Sequence, residues 1–287
     1  MTKFTPRNLD HLVLPVPDLD SAREQFSKLG FNVAPDARHK FGSENACIFF
    51  KDGTFLEPLA IGHRETVESA IVKGNTFLRR DFGFRFRQGD DGFSCVVVGD
   101  QDPRELRKSF KKAGYETGKL VTVRRPGVKV DIAFILDERA PDFSLFACER
   151  PDGPPKFDAK LIKHNNTAKG ITNVTLFEPV PSDFQYYLQT AIGQREVRSH
   201  SFGMEMKFNN ANLNVLNEDG MSEYYGCKEI PQARGLRALA YDIEVKSLSA
   251  AKDILKENSI ASEQIGHRLI VQPTEGQGAI IAFQEAK

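Results

Sequence analysis

A unit of one strand, one helix and then further strands recurs four times along the 287-residue chain, and this repeat limits its possible folds more than any other feature. In the first copy, Asp18 or Asp20 is a candidate N-cap for the helix and Gly30 is a candidate stop. Two apolar strand runs, 45–50 and 54–61, complete this copy. The four copies begin at "NLDHLVLPV" (8–16), "GFSCVVVGD" (92–100), "GITNVTLFEP" (170–179) and "GLRALAYDIEV" (235–245).

A single unit of this kind cannot bury both faces of its sheet, whereas two units can continue one curved sheet and cover its convex side with their helices. The concave side then forms a cleft, which is the default place for a ligand. The stretch 150–170 is rich in Pro, Gly and Asn and separates the second unit from the third. We therefore predict an α+β fold of four βαβββ modules in two domains, residues 1–152 and 168–287.

Charge, hydropathy and cysteine usage argue against several classes of protein. The chain has 39 basic and 39 acidic residues, so it lacks the basic excess that is typical of nucleic-acid-binding proteins. No run approaches the ~20 apolar residues that a membrane span needs, and the N-terminus holds no apolar signal core. The four cysteines are scattered singly, with no C-x-x-C pair. We therefore expect a cytoplasmic protein with neither a nucleic-acid nor a membrane partner.

Several motifs resemble, in order, those of the vicinal-oxygen-chelate superfamily, and within it the bacterial glyoxalase-like domain proteins. They cover residues 9–176 and include "LDHLVLPVPDLDSA" (9–22), "RHKFGSEN" (38–45), "FLEPLAI" (55–61), "FACE" (146–149) and "KHNNTAKGITNVTL" (163–176). The resemblance implies paired βαβββ modules of the glyoxalase/bleomycin-resistance/dioxygenase type. It leaves the activity open, because the superfamily includes isomerases, ring-cleaving dioxygenases, lyases and resistance proteins that only bind.

His11 and Glu57 are the candidate metal ligands. Strand alternation places Glu57 on one face with Phe55 and Leu59, and the resemblance implies that inward residues of the first and last strands of a module carry the metal. Imidazole and carboxylate groups can bind Fe²⁺, Mn²⁺, Zn²⁺ or Ni²⁺, and His39 or His63 could complete a set of two histidines and one carboxylate. An equally plausible alternative is a metal-free His–Glu pair in a polar pocket or with a purely structural role.

The other modules do not supply further ligands when "VPDLD" (16–20) is aligned with "VGDQD" (98–102) and "FLEPL" (55–59) with "FSLFA" (143–147). The alignment places Phe93 at the position equivalent to His11, and Leu145 or a near neighbour at the position equivalent to Glu57. Neither side chain ligates metal. In the third unit Asn173 takes the His position, and Asn212 or Asn214 takes the Glu position.

The remaining candidate site residues lie in a loop and before the second unit. We predict that His39 carries a proton near neutral pH, that Glu57 takes part in catalysis and that Asn45 orients a carbonyl group. Phe93 and Arg85 are candidate substrate-binding residues. Arg85 alternates with phenylalanines, so a surface hairpin is the competing explanation.

The expected function is that of a metal-assisted enzyme of the isomerase, lyase or dioxygenase type, acting on a small carbonyl or vicinal-oxygen substrate. The alternative is a metal-free protein of the same fold that binds or sequesters a small molecule, and a third reading is an interaction scaffold. A homodimer is possible, and the sequence identifies neither the substrate nor the metal.

Overall fold

The computed structural model describes residues 4–125, 128–230 and 233–286, which form two curled mixed sheets with helices packed against them. The first sheet contains β1 (Asn8–Pro15), β2 (Ala37–Arg38), β3 (Ser43–Asn45), β4 (Ile48–Phe49), β5 (Phe55–Ile61), β6 (Cys95–Asp100), β7 (Val121–Arg125), β8 (Val128–Ile135) and β9 (Ser144–Glu149). The second sheet contains β10 (Ala168–Phe177), β11 (Arg198–His200), β12 (Gly203–Lys207), β13 (Asn212–Leu216), β14 (Arg237–Val245), β15 (Glu263–Ile265), β16 (Arg268–Val271) and β17 (Ile280–Glu285). The helices are α1 (Leu19–Lys28), α2 (Arg64–Val72), α3 (Thr76–Gln88), α4 (Pro103–Lys112), α5 (Gln185–Ile192), α6 (Glu218–Tyr225) and α7 (Leu248–Glu257).

The two sheets repeat one topology. The strand order is β2-β3-β5-β1-β6-β9-β8-β7 in the first sheet, with β4 also paired to β5, and β11-β12-β13-β10-β14-β17-β16-β15 in the second. In each sheet the first strands of two modules lie side by side and run antiparallel. The predicted α+β fold of paired βαβββ modules is therefore confirmed, while the proposed boundaries at 152 and 168 stay a prediction.

The first helix begins and ends where its sequence predicts. The Asp18 side chain accepts a hydrogen bond from the Ser21 amide at 2.7 Å, and Gly30 has a φ of +86°, which a residue with a Cβ rarely adopts. In the second module Asp102 caps α4 in the same way, accepting from the amides of Arg104 and Glu105. The equivalent caps fix how the two modules align.

One main core joins the two sheets. It contains buried residues of α1, α4, α5 and α7 together with residues from one face of each sheet, such as Leu12 and Val174. The Phe31 and Phe283 rings stack at 5.9 Å between centroids, so aromatic contacts link the two halves of the chain.

Helices outside the module pattern cover part of the opposite face of each sheet. α2 and α3 pack on the first sheet through Val67 and Leu78, and α6 packs on the second through Met221 and Tyr225. The stretch between the first and the second module therefore adds two helices to the repeated pattern. No helix in the described parts of the chain combines the length and apolar character that crossing a membrane requires.

The strand that carries Glu57 contains a proline, and a proline within a strand removes one hydrogen bond of the sheet. Pro58 lies within β5, opposite Leu14 of β1, and its carbonyl accepts a hydrogen bond from the Ala46 amide at 3.2 Å. Because proline has no N–H to return, the facing chain is divided into two short strands, β3 and β4. Pro58 thus interrupts the neighbouring strand and leaves β5 intact.

The central pairing of each sheet contains an irregularity at the same place. Between β1 and β6 the register shifts between Leu9 and His11, and between β10 and β14 it shifts between Ile171 and Asn173. A bulge of this kind redirects side chains next to it.

Candidate active site

A cavity of about 280 Å³ opens on the face of the first sheet that is turned away from the main core, which we call the inner face. Four polar residues form its floor, namely His11 from β1, His39 from the loop after β2, Asn45 from β3 and Glu57 from β5. Apolar side chains form most of its walls, among them Phe41, Phe49, Phe55, Phe77, Val123, Val130, Ile132, Phe146 and Phe157. The cavity therefore suits a small apolar molecule that carries a polar group at one end.

The two residues singled out from strand alternation converge here. The parallel register of β1 and β5 pairs His11 with Phe55 and Val13 with Glu57, so the His11 and Glu57 side chains lie next to each other on the inner face. The distance from His11 Nε2 to Glu57 Oε2 is 3.3 Å, and the imidazole stacks on the Phe55 ring at 4.2 Å between centroids.

Asp10 and Arg150 extend this pair, and sequence reasoning missed both roles. Asp10 Oδ1 lies 2.5 Å from His11 Nδ1, and Arg150 contacts both carboxylate oxygens of Asp10, at 2.6 Å through Nε and 2.9 Å through Nη2. Strict alternation would place the Asp10 side chain on the opposite face from His11, and the bulge between Leu9 and His11 allows the contact.

Asn45 and His39 complete the floor. The Asn45 Nδ2 group donates a short hydrogen bond to Glu57 Oε1, while His39 Nε2 lies 3.9 Å from the same oxygen. The His39 Nδ1 atom is 2.9 Å from Ser43 Oγ, which fixes the orientation of the ring. Asn45 Oδ1 is buried and has no hydrogen-bond partner among the described residues, so the cavity floor presents an unused acceptor.

Charge is balanced across the floor by the imidazole. Burial alone would raise the pKa of Glu57, but the hydrogen bond and charge of His11 lower it to about 2. Burial alone would lower the pKa of His11, but the hydrogen bonds to Asp10 and Glu57 raise it. Burial acts to raise the pKa of Asp10, and contacts with His11 and Arg150 lower it overall. At neutral pH the ionised Asp10 and Glu57 carboxylates therefore flank the His11 imidazole, and both stabilise its protonated form.

Two predicted substrate-binding residues lie elsewhere. Phe93 is 2% exposed in the main core, where its ring meets Tyr241 edge to face at 6.0 Å. Arg85 belongs to α3, not to a hairpin, and it donates hydrogen bonds to the Val16 and Leu59 carbonyls. The structure therefore does not bring these side chains together with His11 and Glu57.

The reason for the Phe93 error is the alignment of the modules. Matching the helix caps Asp18 and Asp102 makes Cys95, not Phe93, the residue of the second module equivalent to His11. The strand registers then make Phe146, not Leu145, the equivalent of Glu57, because Val97 pairs with Phe146 as Val13 pairs with Glu57. Both side chains point to the inner face, where they pack in an apolar cluster.

The donor set does not fit a complete metal centre. Glu57 already contacts Asn45 and His11. Phe146, which takes the position of Glu57 in the second module, cannot bind a metal ion. His63, the alternative third ligand from the sequence, caps α2 by accepting from the Thr66 amide at 3.2 Å. Within the described ranges, no three His, Cys, Asp or Glu side chains are grouped so that they could hold a metal ion.

Comparisons with known proteins agree on the fold. A family profile described as a glyoxalase-like domain matches residues 9–192. No curated protein matches the chain significantly in sequence.

Solved structures resemble the whole chain at low sequence identity. A hypothetical protein from Staphylococcus aureus has a TM-score of 0.67 at 12% identity, with 98% of this chain and 100% of that chain covered. A mutant of 4-hydroxymandelate synthase from Streptomyces coelicolor has 0.63 at 11%, covering 98% and 92%. The Mn(II)-bound glyoxalase from Novosphingobium aromaticivorans has 0.60 at 10%, covering 98% and 83%.

Proposed function

The chain belongs to the glyoxalase-like domain family of the vicinal-oxygen-chelate superfamily, and from that premise we propose that its first sheet carries a site for a small aromatic or apolar carbonyl compound with a neighbouring hydroxyl group. The proposed reaction is proton transfer, with His39 as the proton carrier. The observation that carries this proposal is the unpartnered Asn45 Oδ1 at the floor of an apolar cavity, beside Glu57 and His39.

The walls define the body of the ligand. Phenylalanine rings surround the cavity, and a volume of about 280 Å³ admits a single substituted ring or a short apolar chain. A highly charged ligand would lose its hydration against these rings without gaining a counter-ion, because the Asp10 carboxylate already engages Arg150.

The floor defines the polar end of the ligand. A ligand hydroxyl can donate to Asn45 Oδ1, which has no partner among the described residues. Glu57, whose pKa is lowered to about 2, keeps its charge and can only accept a hydrogen bond at neutral pH. His39 Nε2 lies 3.9 Å from Glu57 Oε1, so an oxygen or carbon atom of the ligand above this gap is within reach of the imidazole.

Binding without turnover is the second candidate function. It is favoured by the closed chain of contacts from Arg150 through Asp10, His11 and Glu57 to Asn45, in which little basicity remains for chemistry. In that case the site would sequester the same class of compound.

A matched pair of ligands tests the proposal. 2-Hydroxyacetophenone (C₆H₅–CO–CH₂OH) carries a carbonyl and a hydroxyl group on adjacent carbons of the side chain of an aromatic ring, and acetophenone lacks the hydroxyl. We expect the hydroxylated compound to bind about tenfold more tightly, the usual effect of one added hydrogen bond, when both are titrated by calorimetry. In D₂O, proton NMR should show exchange of its methylene protons catalysed by the protein.

His39→Gln should abolish this exchange while binding is retained, and Glu57→Gln should weaken binding. His267→Gln, an exposed histidine outside the cavity, is the control and should change neither property. Binding without exchange in the wild type would support sequestration, and equal affinity for the two ketones would contradict the proposed role of Asn45.

Metal analysis separates this proposal from the metal-assisted enzyme that the sequence predicted. We expect less than stoichiometric Fe, Mn, Zn or Ni in protein purified without chelators. Stoichiometric metal that is lost in both His11→Ala and Glu57→Ala would overturn the metal-free proposal in favour of a metal-assisted isomerase, lyase or dioxygenase.

A further inference from the structure

The inner face of the second sheet bears a separate, larger cavity of about 1100 Å³. It is lined mainly by amide and charged side chains instead of phenylalanines, although it lies on the equivalent surface of the repeated fold. α6 covers only one end of this face, through Met221 and Tyr225, and the other end stays open.

The strand registers show which residues replace the floor of the first cavity. Asn173 pairs with Asn212 as His11 pairs with Phe55, and Thr175 pairs with Asn214 as Val13 pairs with Glu57. On the other side Asp242 takes the place of Val97, and Ala282 takes the place of Phe146. Amides therefore stand where the first sheet has a phenylalanine and a carboxylate, and the buried Ala282 stands where the first sheet has Phe146.

A stripe of hydrogen-bonding side chains crosses four neighbouring strands. The registers place Lys207, Asn212, Asn173 and Asp242 opposite one another along this stripe, and all four line the cavity. An inner sheet face is normally apolar, because a buried polar group costs free energy unless it is hydrogen-bonded.

Part of this polarity has a structural role. Tyr225 from α6 donates to Asp242 Oδ1 at 2.8 Å, and Arg268 Nη1 donates to Asp242 Oδ2 at 3.2 Å, so the network holds α6 on the sheet. One acceptor beside this network, Asn173 Oδ1, is not used by it. Asn173 is 5% exposed and lines the cavity, and its Oδ1 atom has no hydrogen-bond partner in the described structure.

We propose that this second cavity binds a neutral polyhydroxylated molecule of the sugar or cyclitol class. Hydroxyl groups both donate and accept, and they match amide groups such as Asn173, Asn212 and Asn214, which do the same. Charged side chains of both signs line the cavity in nearly equal number, three Lys or Arg and four Asp or Glu, and some are paired, with Arg268 on Asp242 at 3.2 Å and Arg198 near Glu205 at 3.6 Å. The lining therefore has no excess of one sign that would favour an anionic or a cationic ligand over a neutral one.

The aromatic rim agrees with this class of ligand. The Phe202 and Tyr224 rings both line the cavity and meet edge to face at 5.8 Å between centroids. An exposed ring face packs well against the C–H side of a sugar ring, whose hydroxyls then reach the amides.

Ligand-observed NMR with the full-length protein tests the proposal. Glucose, maltose and myo-inositol are the neutral probes, and gluconate and glucosamine are their charged counterparts. We expect saturation transfer to at least one neutral probe and weaker or no transfer to both charged ones. Absence of transfer to every neutral probe, or equal transfer to the charged ones, would overturn the proposal.

Variants locate the binding. Asn212 is exposed, so Asn212→Leu should fold normally, and it should weaken binding of the neutral probe about tenfold through the loss of one hydrogen bond. Phe86→Ala, at an exposed position outside both cavities, is the control and should leave this affinity unchanged. If Asn212→Leu and Asn214→Leu both bind like the wild type, the probe binds elsewhere and the assignment fails.

Discussion

At the scale of single residues, the candidate site depends on a chain of alternating charges. Arg150, Asp10, His11 and Glu57 follow one another at distances between 2.5 and 3.3 Å. All but Arg150 are nearly inaccessible to solvent, so each charge relies on its neighbour for the stabilisation that water would otherwise give. Removing one member therefore leaves another buried charge unpaired.

The stability of the protein should depend on pH through this chain. The pKa of Glu57 is lowered from 4.5 to about 2, so its contribution is present above pH 4.5 and is lost as the pH falls toward 2. The pKa of His11 is raised from 6.5, so its contribution is full below pH 6.5 and is lost as the pH rises through the raised value. We expect Glu57→Gln to lower the free energy of unfolding by about 3 kcal/mol between these limits.

Urea unfolding of both proteins at a series of pH values measures this difference. The difference should be largest between pH 4.5 and 6.5 and should shrink on both sides of that window. A difference that grows at alkaline pH would show that the His11 imidazole does not carry the charge assigned to it.

At the scale of elements, Arg85 of α3 has a structural role that the sequence pattern did not indicate. Arg85 follows Asp81 by one helical turn, and its Nε donates to Asp81 Oδ2 at 2.9 Å, while both side chains are almost fully buried. The same guanidinium reaches the Val16 and Leu59 carbonyls and so ties α3 to the first sheet. Its contacts are those of a structural anchor.

We predict that Arg85→Met lowers the free energy of unfolding by about 3 kcal/mol, because Asp81 and two carbonyls lose a buried donor. The double variant Arg85→Met/Asp81→Leu should recover part of this loss. Arg79→Met, at an exposed position of the same helix, should change stability by no more than about 0.5 kcal/mol. Native stability of Arg85→Met together with weaker binding of 2-hydroxyacetophenone would instead support the substrate-binding role predicted from the sequence.

At the scale of the whole molecule, the two sheets share one apolar core. The ring of Phe31, next to α1, stacks on Phe283 of β17 and meets Phe50 edge to face at 6.1 Å, and Gln25 hydrogen-bonds Gln277 at 3.0 Å. Contacts of this kind couple the two halves energetically, even though each sheet has its own cavity.

We therefore expect calorimetry to show a single unfolding transition for the whole chain. Phe31→Ala should lower the free energy of unfolding by about 3–5 kcal/mol and move the entire transition to lower temperature without splitting it. Phe86→Ala removes a ring that is 91% exposed and should leave the transition where it is. Two resolved peaks in the wild type would mean that the halves unfold independently.

The amino-acid sequence by itself determined the repeated modules, narrowed the first helix cap to Asp18 or Asp20 and showed which residues share a face with Glu57, while the family resemblance implied that His11 and Glu57 point inward. These features follow from interactions over a few residues. Helix caps depend on side chains close to the first turn, and strand alternation has a period of two wherever a strand is regular. Glu57 therefore had a predictable face despite the proline that follows it.

Only the tertiary structure decided how the site is completed. The bulge next to His11 turns Asp10 toward it, and Arg150, 140 residues further along the chain, supplies the balancing charge. The alternation pattern could not reveal either contact, because a bulge breaks that pattern and an ion pair between distant residues depends on how the strands pack. The pairing of strands across the sheet also confirms that Cys95, not Phe93, is the residue of the second module equivalent to His11, because register is set by that pairing and not along the chain.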